Sequence, residues 1–459
     1  MEERVANMRS TGQTEHRREG RHWYAVVWRW HFYAGLLFAP VIFLLAVTGA
    51  VYLFKPQLEE WLYRDWMYVS PGERKLAPTD LLERVKQANP DAMITAFTPS
   101  FAPDRAAEVM LKKDGMAFTV FVDPYNGKIQ GVRNESDRLM NRVKVLHGEL
   151  MAGTAGDRIV ELAACWTLIL VATGLYLWWP REKRRAVFGT FLPRFAAKRR
   201  VLWRDLHAVS AFWLSAGIVA LVLTGLPWSG FTGEWISRFA AETGTGYPRY
   251  LWDGKPESTV PTKEVADVPW AAETLPVPFS ASGNRPISLE RVMHIAEANR
   301  VKPGYVIHLP EGKKGVYTVS LRANRPEDEA TLHLDQYSGN VLADLRFSDY
   351  GPLAKAISVG IALHEGRYFG LWNQLLGLLI CLGLVFLVVS GWVMWWKRRP
   401  AGKLGVPPKP ESSSRIKGAA GWLVIMGLVF PLVGVSLLLA MAVDRWVVTR
   451  VPLLAKWLG

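Results

Sequence analysis

Cysteine is nearly absent from this chain. Cys165 and Cys381 are the two in 459 residues, and both fall inside long apolar runs, so no disulfide framework holds the polar loops. Catalytic signatures are missing as well. There is no His-Glu-x-x-His pair for a zinc protease and no Gly-x-Ser-x-Gly elbow for a hydrolase. No Gly-rich phosphate loop or dinucleotide fingerprint opens a helix, so the chain carries no recognisable flavin or nicotinamide site of its own. Charge is sparse too. Charged residues make up 21% against an apolar half, so the apolar content is concentrated in blocks.

Five blocks are long enough to cross a bilayer, which takes about 20 apolar residues. They cover 32–54, 158–179, 207–229, 370–396 and 419–443, flanked by Trp, Tyr, Lys and Arg. The basic residues orient them. Residues 1–31 carry six Arg, 180–206 carry a run from Arg181 to Arg204, and 397–418 carry Lys397, Arg398 and Arg399 among others. These three regions alternate as one side, cytoplasmic by the positive-inside bias. The loops 55–157 and 230–369 and the tail 444–459 then face outward. The expectation is a multi-pass protein of a bacterial inner membrane with a cytoplasmic N-terminus. The net charge of +14 reads as a topology signal, because the basic stretches abut apolar spans; nucleic acid is not an expected partner. The first apolar run is too long for a cleaved signal core.

The chain says nearly the same thing twice. His147 precedes Thr173-Gly174 by 26 residues, and His364 precedes Ser390-Gly391 by 26. His31 precedes Thr48-Gly49 by 17, and His207 precedes Thr224-Gly225 by 17. The outward loops are copies also. Leu82-Glu83-Arg84-Val85 recurs as Leu289-Glu290-Arg291-Val292, each opening a short amphipathic helix that ends in Ala-Asn. Alternating segments such as Ala117–Val122 and Gly315–Leu321 read as strands. Asp123-Pro124-Tyr125-Asn126-Gly127 and Asp335-Gln336-Tyr337-Ser338-Gly339 read as tight turns, with Gly supplying positive φ. The fold class is thus a polytopic α-helical membrane protein of five spans, with two small α+β modules outside it and an internal two-fold repeat. Residues 240–285 read as an irregular insertion in the second module.

A histidine beside hydrocarbon is a functional-site hypothesis by default, and neutral imidazole is a common axial ligand of haem iron. Each of the four repeated histidines is placed at the start of a span or just before one. Pairing equivalent repeats puts His31 with His207 at the cytoplasmic end and His147 with His364 at the outer end. Two such pairs would hold two bis-His b-type haems and make an electron path across the bilayer. With no Cys-x-x-Cys-His run, such haems are non-covalently held. Arg29 and Arg204 near the inner pair, and Arg142 and Arg367 near the outer, are candidates for holding propionates. Gly35, Gly49, Gly174, Gly225 and Gly391 would leave room for a flat macrocycle. His16 and His22 lie in the basic tail, His294 on an amphipathic helix and His308 and His333 on strands, where solvated or core roles suffice. Trp61, Trp66, Trp228, Trp235, Trp252 and Trp372 form an interfacial belt or a cradle for a bulky ligand.

Trp30-His31-Phe32, the two Asp-x-Tyr-x-Gly turns, Leu146-His147-Gly148, Leu363-His364-Glu365 and the stops Trp178-Trp179-Pro180-Arg181 and Trp395-Trp396-Lys397-Arg398 together resemble the PepSY-associated transmembrane family. The resemblance covers almost the whole chain. It implies PepSY-like outer modules and a kinship with inner-membrane oxidoreductases that use two b haems to release iron from ferric siderophores. A ferric siderophore or another periplasmic acceptor would then take electrons from a cytoplasmic reductant or quinol. A haem-free membrane scaffold whose modules bind peptide or a partner protein is the alternative.

Overall fold

A computed structural model describes residues 2–180, 187–246, 257–407, 421, 427–428, 430–448 and 450–451, with side chains from residue 23 onward except those of 257 and 448. Arg181, Lys183, Arg184, Arg185 and Trp252 lie outside the described residues, as do the side chains of His16 and His22. The chain divides into a membrane unit, Met1–Ala50, His147–Thr232 and Leu378–Gly459, and a sheet unit, Val51–Leu146 and Gly233–Gly377.

Four described helices have the length and apolar content to cross a membrane. The first is the Trp23–Tyr52 part of α1 (Glu2–Tyr52). The others are Gly153–Trp178, Arg199–Trp228 and Leu371–Arg398. The first and third begin well before their apolar blocks. The aromatic and basic residues leading into each, Trp23 to Trp30 and Arg199 to Arg204, contain no Gly or Pro to break the helix and suit the polar rim of a bilayer. His31 and His207 therefore lie about two turns inside these spans rather than at their starts. His147 does precede the second span, on a separate helix, Leu139–Glu149. The fifth expected span, 419–443, falls only partly on described residues; its described part includes the helix Pro431–Val443.

The membrane unit packs on small and aromatic side chains. Ala34, Phe38, Ile42, Ala163, Cys165, Trp166, Leu226 and Val433 are buried together. Phe38 stacks on Trp166 with centroids 5.6 Å apart. The Trp166 indole donates to Ser436 Oγ at 3.1 Å, which ties the helix Pro431–Val443 into this core.

The sheet unit contains both repeats of the expected α+β module. The first supplies the helix Pro78–Ala88 and strands β1 (Met93–Thr98), β2 (Ala107–Lys113), β3 (Met116–Val122) and β4 (Ile129–Asn134). The second supplies the helix Leu289–Ala298 and strands β5 (Val306–His308), β6 (Val316–Leu321), β7 (Ala330–Asp335) and β8 (Val341–Arg346). They fuse into one antiparallel sheet of order β8-β7-β6-β5-β1-β2-β3-β4. The seam is short: Ala96 faces His308 and Phe97 faces Ile307. Leu81 and Val85 of one helix and Val292 and Ile295 of the other bury against Phe97, Val109, Val120, Ile307, Val319 and Leu332. Thr79 bridges the two helices, donating through N and Oγ1 to Glu290 Oε1 at 3.1 and 2.5 Å.

The two predicted turns share a backbone geometry. Gly127 and Gly339 have φ of +72° and +75°. Tyr125 N and Tyr337 N donate to the Oδ1 atoms of Asp123 and Asp335 at 2.8 and 2.9 Å. The insertion is more ordered than expected. Residues 257–278 form a small two-stranded sheet and two short 3₁₀ turns. Ala266, Val268, Ala271 and Ala272 bury with Ala343, Leu345 and Tyr350. The segment thus has its own apolar face to hide, which its Pro and Gly content obscures. Ser320 of β6 donates to the Asp267 carbonyl, so the segment also meets the sheet there.

Candidate histidine site of the membrane unit

Three of the four repeated histidines make the same contact. His31 Nδ1 lies 2.9 Å from Thr173 Oγ1. His147 Nδ1 lies 2.9 Å from Thr48 Oγ1. His207 Nδ1 lies 2.9 Å from Ser390 Oγ. Each hydroxyl sits on a different helix of the same repeat. Each is also tied to its own helix: Thr173 donates to the Ile169 carbonyl at 2.7 Å, Thr48 to Leu44 at 2.8 Å and Ser390 to Leu387 at 3.0 Å. The fourth step has the same internal bond, from Thr224 to the Ala220 carbonyl at 2.7 Å.

Three of the glycines that follow these hydroxyls lie against an imidazole. A Cβ on Gly174 would lie 3.2 Å from His31 Cε1, and one on Gly49 would lie 3.3 Å from His147 Cε1. On Gly391 it would lie 3.7 Å from His207 Cε1. These glycines make room for the imidazole. Gly35 has only Leu170 nearby, at 3.9 Å.

His31 and His207 are both partly buried. Residues 28–398 match the family described as PepSY-associated TM region. The chain belongs to that family. The match contains all four histidines, three whole spans and the first span from residue 28 onward, and it stops at the basic end of the fourth span. No curated protein matches the chain. In this family member, His364 belongs to the sheet unit, where it is the last residue of the helix Pro352–His364.

The four arginines all have protein partners. Arg204 pairs with buried Asp205 at 3.0 Å, and Arg194 grips the same carboxylate at 2.7 and 2.9 Å. Exposed Arg142 pairs with Asp137 at 2.6 Å. Arg367 pairs with Glu365 at 2.7 Å and Glu329 at 3.2 Å. Arg29 contacts neutral groups, the Pro407 carbonyl and the Tyr33 hydroxyl. Its guanidinium is the one of the four that meets no carboxylate among the described contacts, so it best keeps its candidacy for an anionic group.

Sequence reasoning passed over two buried acids in the membrane unit. Asp205 is the first. The second is Glu161, 1% exposed, which accepts from Phe231 N, Thr232 N and Thr232 Oγ1 at 3.0, 2.8 and 2.5 Å. An acid inside an apolar block was the available signal, and here it caps the helix Gly230–Glu242. Of the candidate tryptophans, Trp66 packs on Phe121 in a small core, while Trp61 and Trp372 are among the most exposed side chains. Of the strand histidines, His333 is a core residue and His308 is half-buried. His333 is fully buried, 3.0 Å from Thr318 Oγ1, and burial pushes its imidazole down to about 3. His308 is pushed down to about 4 by the same cause. His294 is exposed.

The donor set decides what the histidine site fits. Among the described residues no three His, Cys, Asp or Glu side chains converge, as a bare ion would need. Two partly buried imidazoles on two spans, each with Nδ1 against a hydroxyl, are a donor set that a haem iron could take.

Proposed function

We propose that this family member carries electrons across a bacterial inner membrane through two non-covalent b-type haems. His31 and His207 would hold one. His147 and His364, assigned from the sequence repeat alone, would hold the other. Bound haem supplies reversible one-electron storage at neutral pH. The observation that carries the reading is the repeated imidazole geometry. A hydroxyl whose single proton is committed to a helix carbonyl has only lone pairs left for the ring, so Nδ1 holds the ring proton and Nε2 keeps the lone pair a metal takes.

The remaining residues have protein roles. The hydroxyls hold the rings in place. Arg29 offers a guanidinium near the basic end of the first span for a propionate. Filling both axial positions with protein favours electron transfer over oxygen binding. The reductant on the basic side is a cytoplasmic donor or quinol. The acceptor is a periplasmic Fe(III) chelate of the siderophore class, whose hard oxygen ligands hold Fe(II) less firmly after reduction. That acceptor rests on the family resemblance.

A reduced-minus-oxidised spectrum with haem quantified per chain tests the reading. Two low-spin haems per chain are expected. Replacing His31 or His207 by Ala should remove one, and replacing His147 or His364 the other. Adding a ferric siderophore to the dithionite-reduced protein should reoxidise the bands and yield chelatable Fe(II). An intact, colourless preparation would discard the haem reading and favour the scaffold.

A further inference from the structure

We propose that Thr173, Ser390 and Thr48 are positioning residues, each accepting the Nδ1 proton of a histidine on a different helix of its own repeat and thereby fixing Nε2 as the iron-binding nitrogen. This rests on the haem reading above and goes one layer beyond it.

Serine and threonine inside apolar helices commonly bond back to their own turn, and that alone signals nothing. The signal lies in the hydroxyl's remaining capacity. The back-bond consumes its only proton, so the oxygen can otherwise only accept. In all three places the atom it meets is Nδ1, at 2.9 Å. Next to Thr173 and Thr48, the glycine lets the Nδ1–Cε1 edge of the ring seat against the step. Hydroxyl and glycine therefore act as one device.

The arrangement is swapped. The first span carries His31 and also Thr48, which serves His147. The second carries Thr173, which serves His31. The third carries His207, served by Ser390 of the fourth. The acceptor is neutral in each case. It polarises the N–H bond less than a carboxylate would, so the ligand stays a neutral imidazole, which sets the iron potential higher than a carboxylate partner would.

Thr173→Val, Ser390→Ala and Thr48→Val test this, with Thr173→Ser as the conservative control. The readouts are a redox titration followed optically and the ferric low-spin EPR signal. Thr173→Val and Ser390→Ala should both move the midpoint and g-values of the same haem, and Thr48→Val should move the other. Thr173→Ser should restore the wild-type values. In haem-depleted membranes, ¹⁵N-histidine NMR should show Nδ1-protonated rings for His31 and His207 and a mixed tautomer in the variants. Ser390→Ala removes one oxygen, so it carries the test even where Thr173→Val fails to insert. A haem-containing wild type whose midpoints, g-values and tautomers are untouched in all three variants overturns this inference alone. A wild type without haem overturns the proposed function instead.

Discussion

At the scale of single residues, two opposed effects meet at the glycines of the Thr/Ser-Gly steps. Replacing a glycine inside a helix by alanine ordinarily stabilises it by about 1 kcal/mol. At Gly174 and Gly49 the new methyl would press on an imidazole at 3.2 and 3.3 Å, so the ring must give way by a few tenths of an ångström. At Gly391 the distance of 3.7 Å is ordinary contact. The expected outcome is graded. Gly174→Ala and Gly49→Ala should leave thermal stability equal or higher while shifting the spectrum of one haem each, and Gly391→Ala should leave its haem unchanged. Equal spectra in all three variants, with raised stability, would mean the glycines serve helix packing only.

At the scale of elements, Glu161 shows how a buried charge in a span is held. Three donors from the first turn of Gly230–Glu242 satisfy it, with Arg158 at 3.4 Å. Glu161→Ala leaves those amides unpaired and should cost about 1–3 kcal/mol. Glu161→Gln, which can keep an acceptor, should cost less. Hydrogen exchange at the Phe231 and Thr232 amides is the measurement, and unchanged protection in Glu161→Ala would reject the cap. Much of the element plan is legible in the sequence. Four spans, both amphipathic helices and both Asp-x-Tyr-x-Gly turns follow from local periodicity and turn chemistry, and the fold has them at those places. The illegible part is non-local. Nothing in Ala96 or Ile307 announces that the two modules join edge to edge, because any strand of that composition offers the same backbone donors. The His-hydroxyl partnership is visible in the sequence only as spacing along one span, whereas the contact runs between helices. Asp205 reads as one charge in a basic loop; its two arginine partners required the fold.

At the scale of the whole molecule, the sheet unit sets how the protein responds to acid. Burial holds His333 down at about 3 and His308 down at about 4, against an ordinary value near 6.5. Below about 6.5 the unfolded chain takes up protons that the folded sheet refuses, so stability falls as pH falls, at up to about 1.4 kcal/mol per pH unit for each histidine. Glu329 acts the other way. Burial raises its carboxyl to about 7 in spite of Arg367 and Arg322. Its contribution is present below about 4.5 and is lost as pH rises through 7, so between 4.5 and 6.5 it opposes the two histidines. The net slope in that window is then shallower than the two histidines alone would give, and it steepens when Glu329 is removed. Amide exchange of β6 and β7 in the detergent-solubilised full chain, corrected for intrinsic rates, reads this directly. His333→Gln should flatten the acid limb and Glu329→Gln should steepen it. A His333→Gln protein with the wild-type slope would show that the buried imidazole does not couple folding to protons, and that acid acts on this molecule elsewhere.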